Sequence, residues 1–280
     1  VARAALAGLT ESGQDFSLLS DNPASGLVSQ GQWSSLIARI QSLAFQTTLN
    51  PADGTGMVVM NTAFFPREHF RQALELMAPA FKSGLCVSER VGVAYGGERL
   101  GNVIVPQDRI GFSTVCSVTI NGVLLKAGIP MDSRFGGILE MRAHRPHRFV
   151  EIIHYSGSSL DPSEAFIRAH MTGVAVAART GAGRVLANFR ELPAPCRALA
   201  EQTVARLRTL GVGGVLHIGE IGESVCQIPV DLSMCGMILL GGLNPVAAAA
   251  EAGIAADYHA MTTVMPYESL REFWSLRDSL

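Results

Sequence analysis

Apolar positions change rhythm repeatedly along the chain. Over residues 32–48, Leu36, Ile37, Ile40, Leu43 and Ala44 recur at helical spacing, which predicts a helix with one face on a core. The glycine-bracketed Asp53-Gly-Thr-Gly56 then leads into an apolar run at 57–61 of strand character. Pro66 opens a second helix, whose Phe70, Leu74, Met77, Ala78 and Phe81 form a stripe and whose stop is Gly84. Strands at 89–95 and 102–105 flank the Gly96-Gly97 turn, and another closing strand falls at 135–141.

Between these lies Ser113-Thr-Val-Cys-Ser-Val-Thr-Ile-Asn-Gly122, a strand running into a short helix with Asn121 as its N-cap and Gly128 past its end. The first-turn amides of such a helix suit a carboxylate or phosphate. The construction recurs at 235–253, with Asn244 as N-cap, Pro245 at the first helical position and Gly253 as the stop. Upstream, Gly54, Gly56, Val58, Asn61, Pro66 and Gly84 recur as Gly181, Gly183, Val185, Asn188, Pro193 and Gly211, each shifted by 127. Glycine and proline fix backbone geometry, so this spacing implies that the same turns are made twice, in an internal duplication.

The first repeat spans about 32–142 and the second about 161–270. A connecting segment at 143–160, with a strand at 149–154, has no counterpart. Asp161, Pro162 and Glu164 supply an N-cap, an N1 proline and an N3 acid for a helix to about residue 178. The second repeat continues with a strand at 184–189, a helix at 193–210, strands at 214–218, around Cys226 and around Met234, and the Asn244 helix. It ends at 258–265, followed by a polar tail carrying Phe273 and Trp274. The predicted fold class is α/β: two pseudo-symmetric halves of mixed sheet covered by helices, sharing one core. Residues 1–31 read as an alanine-rich helical piece and a turn-rich linker.

Composition narrows the function. The 280 residues are 48% hydrophobic and 16% charged, suited to a well-buried globule. A net charge of −2 without any basic run argues against a nucleic-acid surface of the chain's own. No apolar stretch is long enough for a transmembrane helix or signal peptide. The 5 cysteines form no CxxC pair, which suits reduced thiols in the cytoplasm.

The two copies also allow a comparison of chemistry. Thr114, Cys116, Ser117 and Thr119 stand where the second copy, aligned on its Asn, has Met237, Leu239, Leu240 and Gly242. Polar atoms confined to one copy mark either a ligand site or an ordinary mixed strand nearer solvent, with Thr114 and Cys116 on one strand face and Ser117 and Thr119 on the other. His154, Ser156, Gly157 and Ser158 precede a helix start, and Arg134 is suited either to a bidentate contact with a ligand carboxylate or to a surface salt bridge. His144 and His147 sit among arginines as a solvated basic loop, with no metal site expected. Cys116 as a nucleophile with His154 as base is the enzymatic alternative.

With these residues in place, the sequence resembles the regulatory domain of the NrpR nitrogen-repressor family over roughly residues 32–270. The resemblance is carried by the 113–122 stretch, Phe135-Gly-Gly137, Ile153-His-Tyr-Ser-Gly-Ser-Ser-Leu-Asp-Pro162 and Gly241-Gly-Leu-Asn-Pro-Val246. It implies a homodimeric, non-enzymatic effector domain of a repressor that leaves DNA when 2-oxoglutarate binds, with no cofactor. DNA contact would come only through an N-terminal winged-helix module absent from the chain. A start at Val1 and a remnant Leu9-Thr-Glu-Ser-Gly13 agree with such a missing module. Carried onto this chain, the effector site takes in Thr114, Cys116, Ser117, Thr119, Asn121, Gly122, Arg134, His154, Ser156, Gly157 and Ser158.

Overall fold

A computed structural model describes residues 35–279 of the chain. The expectations for residues 1–31 lie outside these. Ser35 caps the first helix, α1 (Leu36–Gln46), which turns Leu36, Ile40 and Ala44 inward. The first half continues with β1 (Met57–Pro66), α2 (Phe70–Lys82), β2 (Arg90–Tyr95), β3 (Arg99–Leu100), β4 (Val103–Ile104), β5 (Arg109–Val115), α3 (Val118–Lys126) and β6 (Asp132–Arg142). The connecting strand is β7 (Arg145–His154). The second half comprises α4 (Pro162–Arg168), α5 (Val174–Thr180), β8 (Gly183–Pro193), α6 (Arg197–Thr209), β9 (Val215–Ile221), β10 (Met234–Leu240), α7 (Asn244–Glu251) and β11 (Asp257–Pro266), before β12 (Arg271–Glu272) and α8 (Phe273–Asp278).

Two five-stranded sheets result, ordered β11-β1-β5-β2-β12 and β7-β6-β8-β10-β9. Their strands pair antiparallel throughout. The halves are therefore interleaved: β6 leaves the first half to pair with β8, and β11 leaves the second to pair with β1. One apolar cluster runs through both, joining Val59, Phe112 and Phe135 to Leu186, Ile238 and Val246.

Pairing register fixes which residues correspond. Met60 faces Val115 as Ala187 faces Leu240, and Pro66 faces Arg109 as Pro193 faces Met234. The shift is thus 127 residues in β1 and β8 but 125 in β5 and β10. Cys116 corresponds to Gly241, and each donates its amide to the matching carbonyl, Val59 or Leu186, at 2.8 Å. Asn244 corresponds to Thr119, not to Asn121. Asn244 accepts the Leu186 amide at 2.8 Å and donates to the Leu186 carbonyl at 3.0 Å. Thr119 Oγ1 does the same for Val59, at 3.0 and 3.3 Å.

This register corrects the reading of the capped helices. Asn121 is the fourth residue of α3 and caps nothing, while Asn244 is the first of α7, with Pro245 second. Ser117 already has helical dihedrals, and the Thr119 and Ile120 amides are bonded to the Cys116 and Ser117 carbonyls at 3.0 Å. Early tightening of the turn leaves those two donors occupied. The strand ends at Val115, so face alternation does not extend to Cys116, Ser117 and Thr119.

Other boundaries also moved. The helix expected to reach residue 178 breaks into α4 and α5, with His170 at φ 54 and Gly173 between them. No strand forms around Cys226; Cys226 and Gln227 take φ of 49 and 68 in a tight reversal closed by a Val225–Ile228 bridge. The supposed polar tail is structural. Phe273 is fully buried and stacks on Phe81 at 3.9 Å, while β12 pairs with β2.

Candidate functional site

The two equivalent strand-to-helix turns meet at the seam between the halves. A Cβ on Gly242 would stand 2.4 Å from both the Val115 carbonyl oxygen and Asn61 Nδ2, so only glycine allows this approach. Beside the contact is a partly open cavity of about 20 Å³, lined by Asn61, Cys116, Ser117, Tyr155, Asp161, Asn188 and Arg190 with apolar neighbours. That volume suits about one water; a metabolite would enter by displacing lining side chains.

Arg190, from β8, is 1% exposed. Its Nε donates to Asn121 Oδ1 at 3.1 Å, and its guanidinium lies 5.1 Å from the Tyr155 ring centroid. Its Nη1 is buried without a hydrogen-bond partner. A buried cation with an unmet donor costs free energy unless an acceptor arrives. Asn121 is held in turn by donating to Ser133 Oγ at 3.2 Å.

Corresponding asparagines frame the cavity. Asn188 accepts the Tyr155 hydroxyl and donates to Ser117 Oγ at 3.1 Å. Asn61 accepts the Met261 amide at 3.1 Å, its Nδ2 lying 3.4 Å from Thr114 Oγ1. Asp161 caps α4 as expected, accepting the Ser163 and Glu164 amides through Oδ1 at 2.8 and 3.3 Å. Burial, then the Glu164 charge, pushes its carboxyl up to about 6. Burial also pushes the Cys116 thiol up to about 11 and the Tyr155 phenol up to about 12. Cys116 is thus a neutral thiol at ordinary pH. His154 is exposed against Phe135, outside the cavity, so it does not serve as the base of a nucleophilic pair.

Of the residues singled out from sequence, Cys116 and Ser117 line the cavity. Thr114 touches the cavity's Asn61, and Asn121 stands behind Arg190. Thr119 instead clamps Val59, and Gly122 lets α1 approach α3: a Cβ there would meet Thr47 Cβ at 2.3 Å. Arg134 lies outside, 41% exposed and paired with Asp132 and Glu191 at 3.3 and 3.1 Å. Ser156, Gly157 and Ser158 form the turn beyond Tyr155, and Tyr155 is the member of that stretch that reaches inward. Among the described residues, no group of three or more His, Cys, Asp or Glu is placed to hold a metal ion.

Sequence reasoning overlooked Arg190 although the repeat contained the signal. Residues 190 and 191 of β8 correspond to Ala63 and Phe64 of β1, so an Arg-Glu pair replaces an apolar one in a buried strand. Comparing only β5 with β10 missed this.

Comparison with known proteins places this doubled α/β domain among the regulatory modules of transcription regulators. A family described as NrpR regulatory domains NRD1 and 2 matches residues 34–272, and the chain belongs to that family. Global nitrogen regulator NrpRI of Methanosarcina mazei is 32% identical over 260 residues, covering 93% of this chain and 80% of that protein. Global nitrogen regulator NrpR of Methanocaldococcus jannaschii is 32% identical over 228 residues, which are 81% of this chain but 38% of that protein. The crystal structure of a nitrogen repressor-like protein from Methanococcus jannaschii superposes with a TM-score of 0.73 at 30% identity, covering 86% of this chain and 99% of that one.

Proposed function

We propose that the chain is the effector-sensing and dimerisation domain of a cytoplasmic transcriptional repressor of the nitrogen-regulator type, and that the effector is 2-oxoglutarate or a similar small carboxylate. Control of DNA binding passes to a winged-helix module outside the chain. The observation that carries the reading is Arg190, a buried guanidinium with an unpartnered Nη1 at the cavity between the halves. A carboxylate oxygen satisfies that donor with a charge-assisted bond. Ser117, Tyr155 and the two asparagines supply the neutral polar atoms that orient a bound acid.

Thermal unfolding with added 2-oxoglutarate tests the reading. A single-site ligand at one hundred times its dissociation constant adds about 2.7 kcal/mol, roughly 5–10 °C for a domain of this size. The shift is expected for the parent protein and absent for Arg190→Met. An equal shift in both removes Arg190 from the site, and no shift with any small dicarboxylate ends the effector reading.

A further inference from the structure

The charges at the cavity do not match a doubly charged acid. Arg190 is the one cation among the lining residues and Asp161 the one anion. Other charges surround Asp161 without lining the cavity. Arg39, from α1, donates to the Ala260 and Met261 carbonyls at 2.8 and 3.0 Å. Glu164, on α4, accepts the Ala260 amide at 2.8 Å and pairs with Arg168. Arg190 and Asp161 offset one another at the lining, and Arg39 keeps its charge because its carbonyl partners are neutral, but a ligand carboxylate set against Asp161 would meet a like charge in a largely buried site. That arrangement is strongly disfavoured. One proton turns that carboxylate–carboxylate clash into a hydrogen bond.

We propose, resting on the effector reading above, that the site takes its dicarboxylate together with one proton, which Asp161 and the ligand's second carboxylate share while Arg190 holds the first. The proton comes from solvent, and no covalent bond changes. Both capping bonds to Asp161 use Oδ1, so Oδ2 is the oxygen able to carry the hydrogen. Burial and the Glu164 charge already favour the protonated carboxyl. The domain therefore reads effector concentration and acidity jointly: affinity falls by about tenfold per pH unit once pH exceeds the free site's titration, as linkage of one proton requires.

The test is calorimetric titration of the protein with 2-oxoglutarate from pH 5.5 to 8.5, in pairs of buffers with different ionisation enthalpies. The expected result at pH 7.5 is uptake of close to one proton per ligand. Asp161→Asn keeps an N-cap of the same shape and places an amide donor where the acid hydrogen would sit. It is expected to bind without proton uptake, with an affinity that stays flat above pH 6.5 and exceeds the parent's at pH 8. Binding to the parent without proton uptake, or an unchanged pH slope in Asp161→Asn, overturns the proposal and leaves the effector reading standing. Tighter binding of glutamine than of 2-oxoglutarate, without proton exchange, also overturns it, because Asp161 would then face an ammonium as a carboxylate. Failure of every dicarboxylate to bind removes the effector reading itself.

Discussion

Arg190 and Asn121 join the two halves at the cavity: the guanidinium Nε donates to the amide oxygen at 3.1 Å, one residue coming from β8 and the other from α3. The bond holds one edge of the guanidinium and leaves Nη1 unmet. Removing a buried guanidinium with an unmet donor relieves that cost, and Asp161 answers the lost countercharge by holding its proton. Arg190→Met is therefore expected to unfold within about 1–2 kcal/mol of the parent in urea while losing at least a hundredfold in affinity for a carboxylate effector. A large loss of stability would make Arg190 a structural cation.

Thr119 and Asn244 are a matched pair of clamps on buried strands, and both are fully buried. Asn244→Ala leaves the Leu186 amide and carbonyl each without its side-chain partner, at a cost of roughly 2–4 kcal/mol. Thr119→Val likewise frees the Val59 amide and carbonyl but keeps the side-chain volume, and is expected to cost about 1–3 kcal/mol. Chemical denaturation of the two variants checks the order, with Asn244→Ala the weaker protein.

At Gly242, an added methyl would press on the backbone and Asn61 of the other turn, so Gly242→Ala is expected to destabilise by about 1–3 kcal/mol through overpacking. Gly128→Ala, with open space around its Cβ but φ at +82, costs about 1 kcal/mol from backbone strain alone. Both are read as urea midpoints, and the difference between them measures how tightly the turns abut.

Asp161 also sets a pH dependence of stability. Its folded value of about 6 lies above the ordinary 3.8, so the native state holds the proton more tightly than the unfolded chain does. Its contribution is full below about pH 4 and is lost as pH rises through about 6, amounting to roughly 2–3 kcal/mol. Asp161→Asn should remove that slope and be more stable than the parent at pH 8, as measured by denaturation at pH 5 and pH 8.

Cys116 provides a control on chemistry. A buried thiol held up at about 11 is expected to resist iodoacetamide at pH 8 in the folded protein and to react on unfolding. Rapid labelling of the native protein, mapped to Cys116, would contradict that environment.

The duplication was legible because glycine and proline mark turns, and turns survive as spacing: Gly54 and Gly181 both take left-handed φ, at 74 and 73. Asn121 and Asn244 misled because identical residues at matching distance from a proline suggested one role, while hydrogen-bond register pairs Asn244 with Thr119. The side chain that clamps a strand can be Thr or Asn, so chemistry was kept as identity changed. The exchange of β6 and β11 was not legible, because pairing partners far apart in the chain leave no local trace. Arg190 was hidden by its surroundings: with Glu191 beside it, it resembles a solvent-facing position until its burial is known.

The crossing of β6 and β11 ties each half to the other. A chain half as long, repeated as two identical molecules, would complete these sheets only by trading strands with a twin. In such a pair every group at the central axis comes twice. In the single polypeptide the two turns differ, one carrying thiol and hydroxyl and the other glycines, and Arg190 stands opposite no second arginine because its counterpart is Ala63.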